Sequence, residues 1–435
     1  MTLDFSNEPI HYIRYKELEC ADYSKITTLE VSTECKGVDK LFPYLGKMKK
    51  LDTLVVNSGN KMDNLVDWSC MFENIPSSTL RQLEIYSNSA CLESFCTLCS
   101  QLGNTNIESI TIHQSKFSDS HLIALSDILS KCKLQELILE ETNLTDFGIT
   151  ALASVISFSN LSKLVVRGLN ITVDGLRAIS NGIRGSTLKT LDIYSDKIKI
   201  GDWHHLYEHL ESTLIESVGI YFLDAKASDA LVKVLPKSNL THLVIPADTP
   251  NIEKLLIASS NSKILGIQIC IKFNHEAIMK TVERHLKYIT ADTLYIDYYN
   301  SRYPSSSRLF SEIEKSQIRY LTLSNVTFNH QLMLNISNQL PNSNLLSLTL
   351  TATNLDDELL RLLSNGVMNS ELRYIDLSSN RDITSRGIIY FVGIVRYSTK
   401  LTKLDFRSIL DIDEIPGLRK FLKKALGSTS FRILL

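Results

Sequence analysis

The chain has 435 residues, with 46 Lys and Arg against 48 Asp and Glu, a formal charge of −2. That balance excludes a general polyanion binder, which needs a basic excess or stripe. With 44% apolar and 22% charged residues, and only 9 Pro and 17 Gly, disordered, linker-rich and collagen-like classes are excluded too.

At the N-terminus, Asp4 and Glu8 break the basic-then-apolar order of a signal peptide. No apolar run approaches the roughly 18 residues that a bilayer-spanning helix requires. A cytoplasmic protein without membrane insertion is expected. The cysteines, Cys20, Cys35, Cys70, Cys91, Cys96, Cys99, Cys132 and Cys270, are scattered and read as reduced thiols rather than a disulfide framework. Two of six Asn-x-Ser/Thr sequons, at Asn160 and Asn239, directly precede strand residues, where a glycan would be awkward.

Residues 1–25 carry no repeat and are expected to cap the first unit. From Ile26 onward one pattern recurs: apolar, two residues, apolar, one residue, apolar. It begins at Ile26 and Leu51, then runs as Leu80-Leu83-Ile85, Ile107-Ile110-Ile112, Leu134-Leu137-Leu139, Leu161-Leu164-Val166 and Leu188-Leu191-Ile193. It continues through Ile215, Leu240, Ile264 and a weak Ala291 (supported by Leu294 and Ile296), then Ile318, Leu345, Leu372 and Leu401. That makes fifteen starts, with Phe431-Leu434 as a truncated sixteenth. Each first half alternates as a short strand does. Each second half, such as Ile149 to Ile156, spaces apolar residues as an amphipathic helix does. Ala124, Ala151 and Ala178 share one slot, where a small side chain admits a close neighbouring helix. A last helix over 416–426 turns Leu418, Phe421, Leu422 and Leu426 inward, with Arg419, Lys420, Lys423 and Lys424 as its solvated face.

This pattern resembles the leucine-rich-repeat family, in its ribonuclease-inhibitor-like subclass, from residue 26 to the end. The family's Asn or Cys slot is occupied by Asn88 and Asn380, but also by Ser115, Thr142, Asp196 and Thr353. The resemblance implies an α/β leucine-rich-repeat solenoid, a right-handed β-α superhelix shaped as a horseshoe. About 15 repeats, mostly of 27 residues, would place a parallel sheet on the concave face and helices on the convex face. The expected division is an N-terminal cap 1–25, the array 26–410, irregular around 215–310, and a C-terminal cap 411–435.

Three look-alikes of chemical motifs occur. Asp146-Phe147-Gly148 spells a kinase metal-binding triplet, but without a glycine-rich loop it reads as the turn before a helix. His205-x-x-Glu208-His209 has zinc-peptidase spacing, yet its frame puts His205 in the Ala124 slot, away from any cleft. Cys91, Cys96 and Cys99, with Cys132 and His113 in the next repeat, lack a second pair at zinc spacing. The chain is therefore read as non-enzymatic, with no catalytic residue, resident metal, cofactor or small-molecule substrate.

Binding is expected on inward strand positions. Six consecutive repeats contribute Tyr86, His113, Glu140, Arg167, Tyr194 and Tyr221, flanked by Glu84 and Asp192. Tyr and Arg dominate energetic hot spots because they combine large contact area with a polar handle; against this, Glu140 and Arg167 also suit plain surface pairing. A second aromatic group is Tyr295, Tyr298, Tyr299, Tyr303 and Tyr320. Without a ladder of Arg and Lys, no nucleic-acid partner is expected. The leading reading is a protein–protein interaction scaffold. The family resemblance leaves two alternatives: a repeat-only bacterial effector in a host cytosol, or a regulator in trans of a small GTPase or other enzyme.

Overall fold

The computed structural model describes residues 26–32, 38–57, 68–86, 92–113, 116–167, 170–246, 249–271, 276–298, 303–304, 309–409, 415–426 and 432–435. The proposed N-terminal cap, Asn88, Cys91, Ser115 and Tyr299 lie outside them. The chain forms two compact units, Met1–Tyr221 and Phe222–Leu435.

The first unit holds eight parallel strands in sequential order: β1 (Thr28–Ser32), β2 (Thr53–Asn57), β3 (Gln82–Tyr86), β4 (Ser109–His113), β5 (Glu136–Glu140), β6 (Lys163–Arg167), β7 (Thr190–Tyr194) and β8 (Ser217–Val218). The second unit holds another eight: β9 (His242–Ile245), β10 (Gly266–Ile271), β11 (Thr293–Tyr298), β13 (Tyr320–Ser324), β15 (Ser347–Thr351), β16 (Tyr374–Asp376), β17 (Lys403–Asp405) and β18 (Arg432–Leu434). Also in the second unit, among the described residues, β12 (Tyr303–Pro304) and β14 (Val326–Thr327) form a separate two-stranded parallel pair. Helices or helical turns connect the strands, and neither sheet closes into a barrel. Each unit is an α/β repeat solenoid.

The register explains why the pattern folds this way. Leu83, Ile110, Leu137, Leu164 and Leu191 are successive Cα partners across β3 to β7. Each is 0% exposed. Every repeat start from Leu51 to Leu401 is at most 2% exposed, the weak Ala291 included. One strand buries too little apolar surface to stand alone; stacked units share one spine. The last repeat is shifted by one residue from the sequence reading. Ile433, not Leu434, sits opposite the buried Leu404, and Leu434 pairs with Asp405.

Neighbouring helices are stitched at their N-termini. Thr145, Thr172 and Thr384 are N-cap residues. Each gives its backbone N–H and its hydroxyl to one aspartate of the preceding repeat. Asp119 accepts from Thr145 at 2.8 and 2.6 Å, Asp146 from Thr172 at 2.7 and 2.6 Å, and Asp357 from Thr384 at 2.8 and 2.6 Å. Orphan donors of one helix are thus satisfied by a carboxylate of another. Asp146 also accepts from the Gly175 N–H at 3.0 Å. A Cβ on Gly148 or Gly175 would stand 2.5 Å from the aspartate oxygen, which gives the Asp146-Phe147-Gly148 triplet a structural cause.

Close helix approach uses a different slot from the one expected. Ala124, Ala151 and Ala178 are only half-buried. The small buried residues lie two positions later, at Ser126, Ala153 and Ser180, and again at Ser337 and Ser364. Of the terminal helix, Ile415–Leu426, Leu418 and Leu422 are buried, but Phe421 is 49% exposed, against expectation.

Five non-glycine residues just past a strand lie in the left-handed region, with φ between 51° and 62°: Glu141, Asn325 and Ala352 directly after β5, β13 and β15, and Ser379 and Ser408 three residues after β16 and β17. Ala352 has no polar side chain to compensate, and the left-handed region costs an alanine about 1–2 kcal/mol. Ala352→Gly is expected to stabilise the second unit by about 0.5 kcal/mol after glycine's greater unfolded-state entropy is deducted, read as a higher urea midpoint at constant m-value.

Candidate partner-binding ridge

The first sheet turns one set of alternating side chains into the core and the other set to its open face, away from the helices. Tyr86, His113, Glu140, Arg167 and Tyr194 occupy the same position on five adjacent strands and are successive Cα partners. Tyr221, in the corresponding place of the next repeat, lies beyond the short β8. Six strand positions at about 4.8 Å spacing span roughly 24 Å.

These side chains form one connected network. The Tyr86 hydroxyl donates to Glu84 at 3.0 Å. Its ring centroid lies 5.7 Å from that of His113, and His113 Nε2 lies 3.7 Å from Glu140. Arg167 donates to Glu140 at 3.3 Å and, with its other terminal nitrogen, to Asp192. The second Asp192 oxygen accepts from the Tyr221 hydroxyl at 2.7 Å. Tyr221 packs on Tyr194, centroids 4.9 Å apart, and Tyr194 donates to Asp196 at 2.7 Å. The structure thus brings together all eight residues singled out in the sequence and adds Asp196.

Burial, followed by the bond to Asp192, pushes the Tyr221 phenol up to about 12. The Tyr86 phenol is raised by burial and by Glu84, and the Tyr194 phenol chiefly by its bond to Asp196. All three remain protonated donors at neutral pH. Gly219 is a positioning residue that the sequence reading missed. A Cβ there would meet the Asp192 oxygen at 2.5 Å and the Tyr221 ring at 3.1 Å, so glycine lets those two groups meet.

The second aromatic group does not gather in the same way. Tyr295 is half-buried on β11 and Tyr320 exposed on β13, but Tyr298 is buried, and burial raises its phenol. The side chain of Tyr303 is outside the described residues. The zinc-like spacing is not realised as a two-histidine helix face, because the helix, His204–Tyr207, ends before His209. His204, His205 and Glu208 cluster instead. However, His205 Nε2 is 2.9 Å from the Arg177 guanidinium, a permanent cation beside the would-be ligand. Cys99 is pushed up to about 12 by burial, so it is a thiol at neutral pH. His113 belongs to the ridge.

The second unit has a cluster that the sequence reading did not select. Asp405 is 0% exposed, and both its oxygens accept from Arg407 at 2.7–3.1 Å. The Tyr374 hydroxyl reaches Asp376 at 3.1 Å and Asp405 at 3.4 Å, while Lys403 lies 4.4 Å above the Tyr374 ring. Burial pushes the Asp405 carboxyl up, but the hydrogen bonds and charge of Arg407 overcome it and hold the carboxyl below its ordinary value. A carboxyl held low contributes stability above its unfolded pKa, lost as pH falls through its folded pKa. Arg407→Gln leaves the burial opposed only by weaker partners, so the folded pKa rises. Stability at about pH 7 is then expected to fall, and the deficit to shrink as acid protonates the carboxyl in both states. Urea midpoints of the variant and the parent across an acid pH series measure this.

No protein-family model matches the chain, and no curated protein matches it. Among solved structures, the chain is similar to one described as the crystal structure of the Rad7 and Elc1 complex in yeast. The identity is 12%, the match covers 93% of this chain and 83% of that chain, and the TM-score is 0.41.

Proposed function

We propose that the chain is a binding scaffold without a reaction of its own, which holds a protein partner along the open face of the first unit's sheet. The observation that carries this reading is the in-register run from Tyr86 to Tyr194, continued by Tyr221, on adjacent strands. Rigid parallel strands hold large polar aromatics in fixed order, a residue type that dominates interface energetics. Their hydrogen bonds fix the rotamers before any partner arrives, which lowers the entropic cost of binding. The regular alternation of strand and helix supports a place in the ribonuclease-inhibitor-like subclass. Buried thiols at Cys99 and Cys132 support a reducing, cytoplasmic setting. No helix of the described residues is long and apolar enough to cross a membrane.

Affinity capture with the parent chain and with Tyr86→Ala/Tyr194→Ala tests the reading. A protein held by the parent is expected to bind the double variant at least roughly 30-fold more weakly, since two truncated hot spots remove about 2 kcal/mol or more. Circular dichroism of the two should coincide. If every captured protein binds the variant equally, the ridge is not the interface.

A further inference from the structure

We propose that the partner meets this ridge with an extended segment rich in Arg or Lys, and that Arg167 occupies the place of an incoming cation rather than serving as the contact itself. This rests on the scaffold reading above and adds the chemistry of its partner.

The ridge tyrosines and Arg167 already have acceptors. Tyr86 gives its proton to Glu84, Tyr194 to Asp196 and Tyr221 to Asp192. Arg167 divides its guanidinium between Glu140 and Asp192. Acceptors remain in excess, because an ionised carboxylate offers about four lone-pair sites and four carboxylates line the network.

Charge agrees with that. On the open-face positions of β1 to β8, Glu30, Glu84, Glu136, Glu140 and Asp192 stand against Lys163 and Arg167. Lys163 is paired with Glu136 at 3.5 Å. In the second unit, Asp297, Asp376 and Asp405 are balanced by Lys403, Arg407 and Arg432, so the excess belongs to the first sheet. Rings at both ends of the network, Tyr86 and the Tyr194–Tyr221 pair, add π faces that attract cations. A span of roughly 24 Å fits about seven residues of extended chain at ~3.3 Å each.

The sign of one substitution separates this from a partner bearing carboxylates. If Arg167 grips an acidic partner, Arg167→Gln weakens binding. If Arg167 stands in for the partner's cation, Arg167→Gln releases Glu140 and Asp192 and tightens it.

The test uses the full chain with a fluorescent peptide of alternating Arg and Ser, about twelve residues long, and its Glu–Ser counterpart, both followed by anisotropy. The Arg–Ser peptide is expected to bind, more weakly as salt rises. Glu84→Gln/Glu140→Gln/Asp192→Asn should weaken it at least ~10-fold, and Arg167→Gln should tighten it ~3-fold or more. An equal charge change on exposed helical-side positions, Glu73→Gln/Glu93→Gln/Asp127→Asn, should alter it less than ~2-fold. The proposal is overturned if the Arg–Ser peptide does not bind, if both triple variants weaken it alike, if Arg167→Gln weakens it, or if the Glu–Ser peptide binds instead. A captured protein that needs Tyr86 and Tyr194 but ignores the three carboxylates would sink the cationic partner and leave the scaffold reading standing.

Discussion

Gly366→Ala is expected to destabilise the second unit by about 3 kcal/mol, at the upper end of overpacking costs, although alanine is normally the better helix former. Gly366 lies within the helix Asp357–Met368. An added Cβ would sit 2.2 Å from the Ser337 carbonyl oxygen, 2.6 Å from its Cα and 2.7 Å from its carbonyl carbon. These are backbone atoms of the neighbouring helix, so no rotamer change relieves the overlap. The helices must separate, which also lengthens the 2.9 Å bond from the Gly366 N–H to Ser337 Oγ. The packing of Leu363 and Val367, both 0% exposed, loosens with it. Gly393 is the internal control. It lies in the helix Ser385–Val395, and nothing stands within 4 Å of its added Cβ. Gly393→Ala should stabilise by about 0.5–1 kcal/mol, the ordinary gain in helix propensity. Urea unfolding of both variants followed by circular dichroism decides the matter. Equal shifts of the same sign would show that the helix contact is not as close as described.

The second large effect is expected at Asp192, which joins two halves of the ridge. Its side chain is 15% exposed and binds Arg167 and Tyr221 on separate oxygens. Asp192→Ala removes both bonds. Hydrogen bonds to charged groups contribute about 1.5–3 kcal/mol; discounting the half-exposed Arg167 for solvent screening, the loss is about 1–2 kcal/mol. Two further readouts separate this from a general loosening. The Tyr221 phenol, now at about 12, should titrate at lower pH once its acceptor is gone, seen as a difference against Tyr221→Phe in ultraviolet titration. A double-mutant cycle of Asp192→Ala with Arg167→Ala should give a coupling of about 0.5–1 kcal/mol. An unchanged phenol titration would show that Tyr221 does not donate to Asp192 in solution.

The repeat was legible in the sequence because burial at the start of each unit is nearly absolute. A slot that must be apolar in every turn leaves a periodic trace, strong enough that Ala291 was placed correctly from Leu294 and Ile296 alone. The ridge was legible for the same reason: once the buried positions are known, alternation fixes which residues share the other face. What alternation does not give is the direction of each proton. The Tyr194 hydroxyl goes to Asp196, and it is Tyr221 that reaches Asp192. The second contact depends on Gly219 lacking a side chain, just past the end of β8 at Val218, a local departure from the repeat. The Asp405 cluster was missed because a charged residue at an open-face position reads as solvated. Its burial comes from Arg407 and from the strand Arg432–Leu434, whose phase was misread by one residue. The zinc-like spacing failed through helix length, since His204–Tyr207 is a single turn.

The Asp–Thr stitches have a consequence for how such a chain can gain or lose units. Because each cap is split between two repeats, the module is defined by phase and not by any one boundary. Excising 145–171 would bring Asp119 against Thr172 and Gly175 and restore the junction, whereas a cut of any other length would strand a carboxylate on one side and a hydroxyl on the other. Duplication and deletion in whole periods are therefore the changes in chain length that this stretch can absorb, and each such event would lengthen or shorten the binding face by one side chain.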